Sequence, residues 1–147
     1  MRTILRFVLV LLLTTLPAWA ALGDYEGSVS ADQQVLRGEM REEVHSGYKV
    51  HQITTSDGVL VREYVSPEGK IFAVSWRART IPNLPQLLGS YFPRVQQAAR
   101  AKVQRGGPLV INTGDFVYFS GGRMMNFHGS AYLPALLPKN ATAEVVR

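Results

Sequence analysis

Apolar and polar positions alternate through the middle of the chain, and glycine-bearing turns cut the pattern into strand-length pieces. Residues 48–55, 59–65 and 70–77 are rich in β-branched and aromatic side chains, the composition of strands. Asp57-Gly58 separates the first two pieces and Ser66-Pro67-Glu68-Gly69 the last two. Asp-Gly takes positive φ readily at a hairpin, and proline and glycine suit the early and closing positions of a four-residue turn. The pattern predicts a three-stranded antiparallel meander.

Side chains alternate between faces along a strand, so the turns assign the faces. Pairing Val65 with Lys70 puts Val59, Val61, Glu63 and Val65 on one face with Phe72, Val74 and Trp76. That face is the expected core. Glu63 is the misfit on it, because an unpaired buried charge is costly. A two-residue Asp57-Gly58 loop sets Gln52 opposite Glu63 and His51 opposite Tyr64. This is the expected register, since Val50 then joins the core face. A three-residue Ser56-Asp57-Gly58 loop slips the register by one and brings His51 opposite Glu63. The other face carries Leu60, Arg62, Tyr64, Ile71 and Ala73. Such a mixed face is either covered by a second layer or used for binding. His51, Arg62 and Tyr64 form the candidate interaction surface.

Helical periodicity flanks the meander. Ser30 and Gln33 fit a capping box before a short helix that Gly38 ends. Residues 39–46 are charged and read as a loop or an edge strand. Asn83-Leu84-Pro85-Gln86 is a helix start, with Leu84, Leu87, Leu88 and Tyr91 on one face. Pro93 breaks or restarts that helix. Val95, Ala98, Ala99 and Val103 make a second stripe, and Gly106-Gly107-Pro108 stops it. Residues 109–113, 116–119 and 123–133 are strand-like, the last interrupted by Gly129. The expected architecture is a single small α+β domain over 21–133, an antiparallel β-meander sheet packed against a helical segment. Residues 134–147 read as a tail.

The first 20 residues stand apart. Arg2 and Arg6 precede an apolar run too short to span a bilayer comfortably, and Ala18-Trp19-Ala20 supplies a small-residue cleavage site. This is the pattern of a secretory signal peptide over 1–20, leaving no stable membrane span after cleavage. Removing those two arginines lowers the formal charge from +5 to +3, too little to imply nucleic acid. The chain has no cysteine, which excludes a lipid-anchored cysteine and a disulfide framework. A short leader on a cysteine-free chain suggests a bacterial protein bound for the periplasm, with the outer surface or the medium as further destinations. The sequon Asn140-Ala141-Thr142 is then chance.

Ala21-Leu22-Gly23, Tyr48-x-x-His51, Gly58 and Arg62-Glu63-Tyr64-Val65 carry a likeness to a known family. So do Gly69-x-x-Phe72-Ala73-Val74-x-Trp76 and Pro82-x-Leu84-x-x-Leu87-Leu88-Gly89-x-Tyr91-Phe92, with Phe127-His128-Gly129-x-Ala131-Tyr132-Leu133-Pro134 at the C-terminal end. The chain resembles a family of secreted bacterial proteins known as domain of unknown function 2844. The resemblance implies export and a single domain, and it brings no activity.

Motifs of chemistry are sparse. No Gly-x-Ser-x-Gly elbow and no phosphate loop occur. No basic-aromatic stripe suggests nucleic acid. His45, His51 and His128 are the three histidines. Met124, Met125 and His128 offer soft ligands, but adjacent methionines on an extended chain point opposite ways. Tyr91, Phe92, Phe116, Tyr118, Phe119, Phe127 and Tyr132 supply a core or, in part, an exposed recognition patch. No catalytic, cofactor-binding or metal-binding residue is assigned and no cofactor is expected. The expected function is a non-enzymatic module that binds an envelope protein or surface component. The alternative is a small periplasmic enzyme or metal-handling protein using His51, Glu63 or His128.

Overall fold

The computed structural model describes residues 22–102 and 106–146. The leader expected over 1–20 and the Val103 end of the second stripe lie outside the described residues. The chain forms one seven-stranded antiparallel sheet in the order β1-β2-β3-β4-β7-β6-β5. The strands are β1 (Glu39–His45), β2 (Tyr48–Thr54), β3 (Leu60–Val65), β4 (Ile71–Ala78), β5 (Leu109–Asn112), β6 (Val117–Arg123) and β7 (Asn126–Tyr132). Helix α1 (Val29–Leu36) precedes the sheet, and α2 (Leu84–Leu88) and α3 (Phe92–Ala101) link β4 to β5. The fold is α+β, as the pattern of residues implies.

Local chemistry accounts for the starts of α2 and α3. Asn83 caps α2 by accepting from the Gln86 amide (3.4 Å). Pro93 lies in the first turn of α3, where proline is tolerated, so it restarts the helix. Helix α1 begins at Val29 with no side-chain cap; Ser30 already lies inside it, and the expected capping box does not form. The charged 39–46 segment is an edge strand, exposed along its whole length in β1. Charge along a free edge discourages pairing with another chain.

Two registers differ from expectation. His51 opposes Glu63, Gln52 opposes Arg62 and Val50 opposes Tyr64. The first loop therefore holds three residues. The Thr55 amide donates to the Val59 carbonyl (2.9 Å) and the Gly58 amide to the Thr55 carbonyl (3.1 Å). Gly58 takes the left-handed position at φ +86. Val50 consequently lies on the face opposite to the one expected. At the second hairpin, Val65 pairs with Ile71, not Lys70, and a bulge follows before Tyr64 pairs with Ala73. The extra residue exchanges Ile71 and Phe72 between faces.

One face of the sheet packs on the helices. Ile53, Val61, Val65, Ile71, Val74 and Trp76 meet Val29, Leu87, Leu88 and Val95 there, with Phe116 and Tyr118. Each fully buried aliphatic side chain contributes roughly 1.5–3 kcal/mol. The other face is covered at one end by the C-terminal segment. Ala141 and Val146 are buried against Val50, Tyr64, Phe72 and Ala73, so the stretch read as a tail packs on the sheet.

Candidate functional site

The covered part of the second face ends beside a cavity of about 410 Å³. Cross-strand pairing builds its floor. One row runs Gln52, Arg62, Ser75, Ser130 and Phe119; the next runs Leu60, Arg77 and His128. Val146 of the C-terminal segment forms one wall. The Arg62 Nε donates to Gln52 Oε1 at 3.1 Å, which steers its guanidinium along the floor. The His128 ring lies 5.8 Å from the Phe119 ring. Two guanidinium groups and an imidazole from three neighbouring strands thus meet two serine hydroxyls and apolar surface. This combination suits an anionic group on an apolar body.

The candidate interaction surface divides. Arg62 lines the cavity. Tyr64 is on the same face but buried, its ring 6.4 Å from Tyr48 and 6.1 Å from Phe72, with its hydroxyl 3.3 Å from Ser75 Oγ. His51 is on the helix-facing side, opposite Glu63. Arg77, His128, Ser75 and Ser130 escaped sequence reasoning as cavity groups. Arg77 and His128 are juxtaposed only by the long-range β4–β7 pairing, for which no local signal exists. Met124 and Met125 form the exposed tip of the β6–β7 hairpin, while His128 turns into the cavity. The aromatics singled out are buried or half-buried, with Phe116 and Tyr118 in the core; they make no exposed patch.

On the helix-facing side the row across the sheet reads Glu42, His51, Glu63, Val74, Ala131, Tyr118 and Ile111. Its first half is polar. Glu63 and Asp32 of α1 are both fully buried, at 1% and 0% exposure. Burial pushes the Glu63 carboxyl well above its usual value, and the adjacent Asp32 carboxyl raises it further. Burial also raises Asp32, opposed by hydrogen bonding from Glu63 and Gln86. Two ionised carboxylates have no proton to share, and neither Glu63 oxygen then has a partner. With Glu63 protonated, its O–H donates to Asp32, and Gln86 Nε2 donates to Asp32 Oδ1. The pair is a carboxyl–carboxylate clamp that ties α1 to β3 and α2.

His51 lies next to the outer end of this row. Its Nε2 is 2.9 Å from Glu26 Oε1, which also accepts from Lys49 Nζ at 3.0 Å. Hydrogen bonds from His51 and then Lys49 hold the Glu26 carboxyl below its usual value. His51 and Glu63 are neighbours, but His128 is on the other face, so the three residues named for an enzyme do not form one site.

An antiparallel sheet with helices on one face and a cationic, part-apolar cavity on the other defines a small α+β module with a ligand-sized recess. A family model described as a protein of unknown function (DUF2844) matches residues 18–146. The chain belongs to that family. No curated protein and no solved structure matches it. Among the described residues no helix is long and apolar enough to cross a membrane.

Proposed function

We propose that this protein is an exported, non-enzymatic binding module of the bacterial envelope. Its ligand, part of an envelope protein or surface component, presents an anionic group on an apolar body to the second-face cavity. The leader pattern over 1–20 supports export, with the periplasm as the first destination and the outer surface or medium as further ones. The observation that carries the reading is the meeting of Arg62, Arg77 and His128 with Leu60 and Phe119 around about 410 Å³, a volume in the range of small-ligand sites.

Native mass spectrometry of the protein purified from a bacterial periplasm tests it. The expected species begins at Ala21 and retains an anionic adduct that the Arg62→Ala/Arg77→Ala double variant loses while keeping its circular dichroism. A bare mass, or an adduct that survives both substitutions, contradicts the proposal. Retention of residues 1–20 contradicts the export pathway.

A further inference from the structure

His51 brings together three elements that sequence separates. Glu26 comes from the 3-10 turn Glu26–Ser28, Glu42 from β1 and His51 from β2. Each offers a ligand atom within 4.8 Å of the other two. Glu42 and His51 are directly paired across the strands, so the sheet itself fixes their separation. His51 is only 5% exposed, whereas its two carboxylate neighbours reach solvent, with side chains 32% and 47% exposed. The site is therefore rigid at the imidazole and open at its mouth.

A single ion takes only one ring nitrogen. Nε2 is held by Glu26 at 2.9 Å. Nδ1 is buried with no hydrogen-bond partner and faces Glu42 Oε2 at 3.7 Å. That gap is too long for a hydrogen bond. It is a few tenths of an ångström wider than the roughly 3.3–3.4 Å that separates two tetrahedral ligands each about 2.0–2.1 Å from one zinc ion, a difference that the exposed Glu42 side chain can close. A histidine that ligates through one nitrogen commonly donates its other N–H to a carboxylate, which sets tautomer and ring orientation. Glu26 occupies that place.

We infer that Glu42 and His51 Nδ1 bind a zinc-class divalent cation, with Glu26 as the carboxylate that orients the imidazole and adds negative charge. Water fills the open positions at the mouth. Lys49 offsets that negative charge, because its ammonium contacts the same Glu26 oxygen. The cation site is on the opposite side of the sheet from the proposed binding cavity and stands independently of it.

The test is calorimetric titration of the untagged full chain with ZnCl₂, supported by NMR of the imidazole nitrogens. One saturable site per chain is expected, with Zn²⁺ shifting His51 Nδ1. Glu42→Gln, an exposed change that spares the fold, should weaken binding about tenfold or more, and Glu26→Gln should weaken it by a comparable factor. Lys49→Met should tighten it. His45→Ala, at the exposed Glu43–His45 pair, should leave it unchanged. Absence of saturable binding, binding that survives Glu42→Gln, or binding lost with His45→Ala overturns the inference.

Discussion

Replacing Glu63 with glutamine should remove a pH dependence built into the core. The Glu63 carboxyl is raised well above 4.5 in the folded chain, while in the unfolded chain it titrates near the ordinary value. Between that ordinary value and the raised one, the folded state keeps a proton that the unfolded state has released. Stability therefore falls as pH rises through this window, by about 1.4 kcal/mol per pH unit for one proton. A domain of about 120 ordered residues has an unfolding entropy near 0.25 kcal/mol/K, so the fall is about 5 °C in Tm per unit. Glu63→Gln keeps the shape and can donate to Asp32 without a titrating proton. Its Tm should match the wild type near the ordinary carboxyl value and exceed it increasingly as pH rises through that window. Glu26, Glu68 and Asp115 are shifted downward by their hydrogen bonds. They act with the opposite sign, losing stability as pH falls through their folded values. Both proteins contain them, so they cancel in the comparison. Thermal unfolding followed by circular dichroism across this range is sufficient. Parallel Tm curves for the two proteins would refute the shared-proton clamp.

Three further outcomes follow from packing. A Cβ at Gly129 would come 2.2 Å from Trp76 Cζ2 and 2.6 Å from the Phe119 carbonyl oxygen, so Gly129→Ala should cost about 3 kcal/mol in urea unfolding and shift Trp76 emission. Nothing lies within 4 Å of a Cβ at Gly58, so Gly58→Ala should cost only the left-handed strain, about 1–2 kcal/mol; a larger loss would mean that the loop is packed. Deleting residues 138–147 removes Ala141 and Val146 from Tyr64 and Phe72, and should cost about 3 kcal/mol and create a binding surface for an apolar fluorescent dye. Unchanged stability and no dye binding would show that the C-terminal segment does not cover the sheet in solution.

The meander was legible because its signals are local: two glycine turns and three β-rich runs. Its registers were not. Asp57-Gly58 fits a two-residue and a three-residue loop equally well. The deciding contacts belong to Thr55, whose hydroxyl bonds the Val59 amide (2.9 Å) and Asp57 Oδ1. The bulge beside Tyr64 carries no composition signature, and it moved Phe72 and Ile71 to opposite faces. Glu63 was rightly out of place on an apolar face. Its partner Asp32 looked like an ordinary polar helix residue, because nothing local says which side of α1 meets the sheet. Arg62 could be placed on the second face from strand parity alone. Arg77 and His128 needed the β4–β7 pairing, made across 50 residues of intervening chain. The C-terminal cover was hidden by its irregular backbone, where Pro134 and Pro138 leave Leu137, Ala141 and Val146 without a regular period.

The central claim is that the second-face cavity holds a ligand. The most direct measurement is a crystal structure of the protein purified from the periplasm without exchange of its bound molecules. Non-protein density is expected in that cavity, with an anionic group against Arg62, Arg77 and His128 and an apolar portion over Phe119 and Leu60. A cavity filled only by water, or a retained ligand seated elsewhere on the sheet, would contradict it.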